Sequence, residues 1–309
     1  MLAIVGASGK LGFTTLNALL DHNLIPASEI VCTTSSEAGA KKLEPLREKG
    51  TQVKSANWDE PATFKSAFEG CDKLFLISSS RIQKDFHEAP PGLGRESDHY
   101  KAIQAARDAR VKHIYYTSLA FAKPSKSRVM KAHERTEEHL KNAGIKYTVI
   151  REGLYNESWP LYLGHYKLGQ DDRSEITVAG DGQISWTSIV DLGLASALIL
   201  AAPSEEWVKK TLYLSQAKTH SLKDVAAMVS KASGKEIKLK VVPREEHEKY
   251  YVEERGMDEA YVKWWSKSLD AVAAGECEID DPTLNKLLDS KGVKPKPMEE
   301  TVQEMLQSK

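Results

Sequence analysis

The chain has 309 residues, of which 41% are hydrophobic and 28% are charged, a balance that is ordinary for a globular protein. Its formal net charge of -1 excludes a strongly basic surface that would attract nucleic acid or an acidic membrane. The longest nearly apolar run, LGLASALILAA at residues 192–202, is too short to span a bilayer.

The cysteines and histidines give no sign of a disulfide framework or a metal site. The 3 cysteines are far apart and form no Cys-x-x-Cys motif, so we expect free thiols and a reducing, cytoplasmic location. The histidines lack the spacing of metal ligands. No charged leader with a cleavage site precedes the first apolar segment, so no secretory signal is predicted.

Short apolar segments alternate with amphipathic segments in the first half of the chain. The predicted strands are LAIVG, EIVCTT, TQVKSANW, CDKLFLISSS, VKHIYYTSLA and IKYTVIREG. The predicted helices cover about residues 10–22, 38–49 and 95–109, and the segment SRVMKAHERTEEHLKNAG, which Gly144 can end. This alternation predicts parallel βαβ units and a doubly wound Rossmann sheet.

The pattern changes after Gly153. The later segments are SEITV with a Gly-rich turn, a helix opened by Ser188 or Asp191, TLYLS, a helix at about 222–233, EIKLKVVP and a mostly helical tail. The sequence therefore predicts an α/β fold with a Rossmann domain over residues 1–153 and a smaller α+β substrate-side domain over residues 154–309.

A glycine-rich segment joins the first predicted strand to the first predicted helix. Its residues are Gly6, Ala7, Ser8, Gly9, Lys10, Leu11 and Gly12. Gly6 can make the tight turn, Gly9 lets the backbone approach a pyrophosphate, and Gly12 lets the helix pack closely on the sheet. Because free N–H groups at the helix start would face the anion, the segment predicts a dinucleotide phosphate site. A purely structural glycine turn is the alternative.

The residues at the end of the second strand predict the choice of cofactor. An NAD site has Asp or Glu there, whereas this chain has Thr33, Thr34 and Ser35. Without that carboxylate a 2′-phosphate is not repelled, and Lys41 or Lys42 can reach it. Two solvated helix residues are the alternative for these lysines. NADPH is therefore favoured over NADH.

Hydroxyl side chains end two further predicted strands. Ser78, Ser79 and Ser80 end the fourth strand, and Thr117 and Ser118 end the fifth. Ligands of open α/β sheets lie beyond the carboxyl ends of the strands, so these side chains are candidates to bind the ribose or the nicotinamide amide. Ordinary turn chemistry at a strand end is the alternative.

Two loop segments are further candidates. Asn57 and Trp58 end the third strand and can flank an adenine, although Trp58 can equally be a packing residue. The loop from Arg81 to Tyr100 is long for a compact α/β unit. It is either a lid or a tolerated surface insertion.

The order of several segments carries a family resemblance. GASGKLG, DKLFLISSS, VKHIYYTSL, HERTEEHLKNAGIKYTVIREGLYNE and GDGQISWTSIVDLGLASA together resemble the NmrA-like atypical short-chain dehydrogenases and reductases. They are most similar to the branch of NADPH-dependent quinone oxidoreductases and triphenylmethane reductases, over roughly residues 1–240. The resemblance implies a Rossmann domain, a small C-terminal domain, NADP binding and a cleft between the two domains.

The usual catalytic pair of short-chain dehydrogenases is missing. Their tyrosine, helped by the lysine of a Tyr-x-x-x-Lys pair, protonates the substrate oxygen, and none of the 11 tyrosines here has that lysine. The resemblance puts His133 at the family's lysine position, where it could hold a ribose hydroxyl or donate a proton; a solvated helix residue is the alternative. Tyr155 and Asn156 follow the sixth strand, where the resemblance implies cofactor or substrate contact. His133 and Tyr155 are the catalytic candidates.

The leading interpretation is an NADPH-dependent oxidoreductase that transfers hydride to a quinone-like or other conjugated small molecule. Such an acceptor spreads the product charge, so little enzymic acid is needed. The alternative is a non-catalytic NmrA-like regulator that senses NAD(P) and binds a protein partner. A reductase of a specialised metabolite, similar to isoflavone reductases, ranks lower because those proteins keep the lysine that His133 replaces. A homodimer is compatible with either interpretation.

Overall fold

Seven parallel strands form the main sheet of the computed structural model, which describes residues 1–308. The strands of the main sheet and of a second, two-stranded sheet are β1 (Leu2–Val5), β2 (Ile30–Thr34), β3 (Gln52–Ser55), β4 (Lys73–Leu76), β5 (His113–Leu119), β6 (Lys146–Glu152), β7 (Glu175–Val178), β8 (Thr211–Leu214) and β9 (Lys238–Val241). The main sheet has the order β3-β2-β1-β4-β5-β6-β8, and β7 pairs in parallel with β9 in a second sheet. The predicted Rossmann sheet is confirmed.

Helices cover both faces of the main sheet. The helices of the described chain, on the main sheet and around the second sheet, are α1 (Lys10–Asp21), α2 (Glu37–Glu48), α3 (Pro61–Phe68), α4 (Glu96–Asp108), α5 (Met130–Asn142), α6 (Trp159–Tyr162), α7 (Ile189–Ala201), α8 (Leu222–Ser233), α9 (Arg244–Lys249), α10 (Glu259–Trp265), α11 (Lys267–Ala273), α12 (Thr283–Asp289) and α13 (Met298–Gln307). Within residues 1–308, no helix is both long and apolar enough to cross a membrane.

The core has three parts because the two faces of the main sheet and the second sheet are each covered separately. One face of the main sheet packs on α3, α4 and α5, and the other packs on α1, α2, α7 and α12. The third part lies under β7 and contains the buried rings of Trp159, Trp186 and Trp264. These rings are therefore core residues.

Two features of the fold differ from the sequence-based expectation. The helix α3, between β3 and β4, was not predicted, because its 8 residues give only two turns of periodicity. Strand β8 follows residue 153, yet it pairs with β6 and extends the main sheet. The chain thus returns to the first sheet after the expected domain boundary, and the division at residue 153 stays a prediction.

Local sequence signals explain several helix ends. The Ser188 hydroxyl oxygen accepts hydrogen bonds from the N–H groups of Val190 and Asp191, so Ser188 opens α7. Gly144 follows the end of α5 with a φ of 69°, the left-handed conformation that glycine adopts without strain. Both observations agree with the roles predicted for these two residues.

Candidate cofactor and active site

A groove of about 250 Å³ runs along the carboxyl ends of the strands from β3 to β4. Nine of the predicted site residues line it: Gly6, Ser8, Gly9, Thr33, Thr34, Ser35, Ser78, Ser79 and Ser80. The groove also contacts Ser36, Trp58 and Ile77. The predicted residues at the ends of β1, β2 and β4 are thus brought together where open α/β folds bind ligands. The other predicted residues at strand ends do not line this groove: Asn57, Thr117, Ser118, Tyr155 and Asn156.

The glycine turn of this groove is tight because three positions lack side chains. Gly6 has a φ of 79°, and its carbonyl oxygen accepts a 2.9 Å hydrogen bond from the N–H of Gly9. A Cβ atom at Gly12 would lie 2.3 Å from that oxygen, whereas a Cβ atom at Gly9 would lie 3.2 Å from it. Gly12 is therefore required by packing, and Gly9 leaves the exposed side of the turn open.

The start of α1 offers unused hydrogen-bond donors. No side chain caps this helix, and within the described residues the N–H groups of Lys10, Leu11 and Gly12 have no acceptor. Leu11 and Ala7 point into the core, and Lys10 is exposed. An uncapped helix start with a positive dipole end beside an open glycine turn fits a pyrophosphate.

The end of β2 carries hydroxyl groups and one nearby cation. The hydroxyl groups of Ser8 and Thr34 lie 3.3 Å apart, while that of Thr33 donates to the Ile4 carbonyl oxygen. Gly39 permits this arrangement, because a Cβ atom there would lie 2.0 Å from Thr34 Oγ1. The sequence analysis missed Gly39, although a glycine in the first turn of a helix is a signal that needs an explanation.

Of the two candidate lysines, Lys42 is the one bound to the glycine segment. Its Nζ atom donates a 2.9 Å hydrogen bond to the Ser8 carbonyl oxygen and lies 4.4 Å from the centre of the Phe13 ring. Lys41 is exposed and makes no hydrogen bond or ion pair with the described residues. Hydroxyls, a lysine and no carboxylate at the end of β2 fit the 2′-phosphate of NADP.

The residues that end β4 are bound to a buried histidine of α4. The Ser79 N–H donates to His99 Nε2 at 2.9 Å, and the Ser79 hydroxyl donates to Asp98. Ser78 donates its N–H to the Thr117 hydroxyl oxygen, while Ser80 is exposed at the groove. Backbone and side-chain bonds therefore fix the floor of this part of the groove.

His133 lies beneath this floor and is only 3% exposed. Its Nδ1 atom lies 3.0 Å from the Tyr116 hydroxyl, and burial lowers the pKa of His133 well below 6.5, helped by the charges of Arg95 and Arg151. The ring is thus neutral near pH 7. This geometry favours a positioning role for His133 over the proton-donor role.

Two other predicted site residues bind chain atoms. The Ser118 hydroxyl donates to Glu137, which is also paired with Arg151 at 2.8 Å. The Asn156 amide donates to the Thr301 hydroxyl oxygen of α13. Their contact with a cofactor stays a prediction, because it requires these hydrogen bonds to be exchanged.

Asn57 lies in a local turn and does not line the groove. Its Nδ2 atom donates to Glu60, and its Oδ1 atom accepts the N–H of Asp59. The neighbouring Trp58 lines the groove and also packs 4.7 Å from the Phe64 ring, measured between ring centres. Trp58 therefore combines the two roles that the sequence left open.

Tyr155 lies just beyond the end of β6, in a backbone bridge with Thr187. Its hydroxyl donates a 2.7 Å hydrogen bond to the Glu152 carboxyl group. Tyr155 and the groove residue Ile77 both pack against the core layer that includes Leu11 of the glycine segment. Glu152 was not singled out from the sequence, because nothing in its neighbours indicates that an acid at this position is buried.

The long loop after β4 is held against α5. The Arg95 N–H donates to Asp85 at 2.7 Å, and Arg135 binds both the Ala89 carbonyl oxygen and Glu96. A cavity of about 270 Å³ lies between this loop and α5. These contacts fit a lid and a surface insertion equally well, so both interpretations stay open.

A Rossmann sheet with a glycine turn at an uncapped helix start is the architecture of dinucleotide-binding proteins. The chain belongs to the NmrA-like family, whose family model matches residues 1–274. Quinone oxidoreductase 2 of Escherichia coli is 33% identical over 237 residues, which cover 77% of this chain and 76% of that protein. The predicted family resemblance is thereby confirmed.

Two solved structures resemble the whole chain. The NADPH-dependent quinone oxidoreductase of Escherichia coli, complexed with NADPH, has a TM-score of 0.81 at 30% identity and covers 99% of this chain and 100% of its own. The Citrobacter sp. triphenylmethane reductase complexed with NADP(H) has a TM-score of 0.80 at 28% identity, with coverage of 99% and 100%.

Proposed function

We propose that this chain is an NADPH-dependent oxidoreductase that transfers a hydride to a quinone-like or other conjugated small molecule. The observation that carries the proposal is the groove, in which an open glycine turn adjoins a strand end without a carboxylate. Its similarity in sequence and structure to a quinone oxidoreductase and a triphenylmethane reductase supports the same class of acceptor.

Within this proposal the residues of the groove bind and orient the cofactor. The glycine turn and the start of α1 hold the pyrophosphate, Thr34, Ser35 and Lys42 hold the 2′-phosphate, and Ser78 to Ser80 border the ribose at the nicotinamide end. When bound, the cofactor supplies the hydride, and the chain supplies position and exclusion of water.

A conjugated acceptor also suits the missing Tyr-x-x-x-Lys pair. Hydride transfer to a quinone leaves a charge that is delocalised over the ring, so the barrier depends less on a strong acid than it does for a simple carbonyl. His133, which is neutral and buried, then contributes by holding Tyr116 and the strand-end floor.

The experiment is steady-state oxidation of NADPH with a panel of quinones, triphenylmethane dyes and conjugated ketones. We expect turnover with at least one quinone and a lower Kd for NADPH than for NADH. NADPH binding without turnover on any acceptor would instead favour the NAD(P)-sensing regulator with a protein partner. A homodimer, the cytoplasmic location and the domain division stay predictions that this assay does not address.

A further inference from the structure

Glu152 is a buried acid that has no counter-charge among residues 1–308. It is 1% exposed, its Oε2 atom accepts the Tyr155 hydroxyl at 2.7 Å, and its Oε1 atom has no hydrogen-bond partner among the described residues. A carboxylate in such a place is costly, whereas a neutral carboxylic acid is tolerated. The one polar contact of this carboxyl group is therefore the candidate catalytic tyrosine.

Arg151, the residue before Glu152 in β6, is a buried charge that does have a partner. Arg151 points to the opposite face of the sheet, as strand alternation requires, and binds Glu137 through two of its nitrogen atoms. Burial alone would raise the pKa of Glu137, but its bonds to Arg151 lower it overall. Glu152, on the face that packs on α1 and α7, has no such partner.

The other charged groups on the packed elements are engaged elsewhere. Glu157 accepts the Ile189 N–H at the start of α7, and Asp191 of α7 accepts the Lys296 N–H. Lys10 of α1 is exposed. Within residues 1–308, none of these groups forms a hydrogen bond or an ion pair with Glu152.

Burial determines the protonation of both members of the pair. It raises the pKa of Glu152 to about 8, and the hydrogen bond from Tyr155 lowers it only in part. Burial and the nearby Glu152 raise the pKa of Tyr155 well above 10. Near neutral pH the pair therefore holds two protons, of which the carboxyl proton is the more acidic.

We propose that the Tyr155 hydroxyl protonates the reduced acceptor and that the buried Glu152 carboxyl group replaces the proton that Tyr155 gives. This inference rests on the proposed function. The acceptor gains two electrons and one hydrogen as hydride, and the oxidised nicotinamide is the other product. Before the transfer the hydrogen bond within the pair reverses, so that the protonated Glu152 carboxyl group donates to the Tyr155 oxygen and the Tyr155 hydroxyl is free to donate to the acceptor. The acceptor oxygen then takes the Tyr155 proton, Tyr155 takes the Glu152 proton, and water reprotonates the Glu152 carboxylate after release of the product.

The proposal narrows the substrate class. The acceptor must place an oxygen anion at the Tyr155 hydroxyl after hydride transfer, as quinones and conjugated ketones do. A triphenylmethane dye is a cation that becomes neutral on gaining hydride and needs no proton. We therefore expect the Glu152 and Tyr155 variants described next to slow quinone reduction more than dye reduction.

The first test compares pH profiles of quinone reduction. In the unmodified protein kcat/KM falls above a pH of about 8, the pKa of Glu152. Glu152→Gln keeps a hydrogen-bond acceptor for Tyr155 but has no proton to relay. We expect kcat/KM to be lower by about tenfold below that pH, which is less than is usual for a general acid because a quinone delocalises its charge, and to show no further fall above it. Tyr155→Phe should show the same loss and the same flat profile.

Glu157→Gln is the matched control, because Glu157 is a neighbouring half-buried acid that binds the Ile189 N–H rather than Tyr155. It should keep the fall in kcat/KM above a pH of about 8. The Kd for NADPH, measured by fluorescence titration, should stay within about threefold in all three variants, which is less than 0.7 kcal/mol of binding free energy.

The second test needs no cofactor. Infrared difference spectra across a pH titration of the unmodified protein should show a protonated carboxyl band that disappears with a midpoint near pH 8 and that is missing in Glu152→Gln. If Glu152→Gln does not fold, the infrared titration of the unmodified protein and the pH profile of kcat/KM in Tyr155→Phe test the relay instead. Quinone turnover with an unchanged pH profile in Glu152→Gln overturns the relay and leaves the proposed function intact. NADPH binding without turnover overturns both.

Discussion

The Lys42 side chain is held over the glycine turn by a hydrogen bond to Ser8 and by the Phe13 ring. These contacts orient the flexible side chain before the cofactor arrives, so less side-chain entropy is lost on binding. Its partners are a carbonyl oxygen and a ring face, both of which a 2′-phosphate can replace. At the residue scale, Lys42 is thus the cation that we expect to favour NADPH over NADH.

Lys42→Gln should raise the Kd for NADPH about tenfold, or about 1.4 kcal/mol, and change the Kd for NADH little. The physical reason is the loss of a charge-assisted contact with the 2′-phosphate alone. The measurement is fluorescence titration with both cofactors, with Lys41→Gln as the matched control. If Lys41→Gln and Lys42→Gln weakened NADPH binding equally, Lys42 would contribute only to the general surface charge and not to a specific contact with the 2′-phosphate.

His133 gives a second prediction at the residue scale, on stability. Its pKa is well below 6.5 in the folded chain because of burial, so the unfolded chain binds a proton first as the pH falls. The stabilisation is present above a pH of about 6.5 and is lost below it, at up to about 1.4 kcal/mol per pH unit. His133→Gln should therefore lose less unfolding free energy than the unmodified protein between about pH 7 and pH 5.

The measurement is urea unfolding at the two pH values, and exposed His22→Gln is the control. That control should track the unmodified protein at both pH values. An identical pH dependence in His133→Gln and the unmodified protein would contradict the buried, neutral state of this ring.

At the element scale, the turn between β1 and α1 could be predicted from the sequence, because glycine is favoured where the backbone has a positive φ or approaches other atoms closely. The roles of Gly6, Gly9 and Gly12 follow from their spacing between a strand and a helix. Which side chain is buried is not encoded locally, so the acidic Glu152 and the bonds of Ser118 could be found only in the folded structure. The pairing of β8 with β6 was equally hidden, since a four-residue strand does not specify its neighbour.

Two substitutions in this turn should separate folding from binding. Gly9→Asp should fold, since a Cβ atom there is 3.2 Å from the Gly6 carbonyl oxygen, but its carboxylate should abolish NADPH binding by repelling the pyrophosphate. Gly12→Ala should destabilise the protein by about 1–3 kcal/mol, because its Cβ atom would overlap the backbone at 2.3 Å. Thermal unfolding and NADPH titration measure the two effects. If folded Gly9→Asp kept the NADPH affinity of the unmodified protein, the proposed phosphate site at this turn would be wrong.

At the scale of the whole molecule, the parallel sheet places the candidate site residues at the carboxyl ends of its strands. Helices α7 and α12, from the later part of the chain, cover one face of this sheet. The candidate cofactor groove spans β3 to β4, and Tyr155 lies beyond β6, three strands from β1 in the sheet order. This order places the proposed phosphate-binding turn and the candidate proton donor at separate positions along the carboxyl ends of the strands. An extended dinucleotide fits such a separation.

The most direct test of the central claim is a single-turnover reaction without oxygen. The protein, loaded with NADPH, is mixed with an equal amount of menadione, and the loss of NADPH absorbance and the formation of hydroquinone are followed together. The proposed hydride transfer requires that one NADPH is consumed for each hydroquinone formed, and we expect Gly9→Asp to show neither change. NADPH that stays bound and unoxidised in the presence of menadione and the other acceptors of the panel would contradict it.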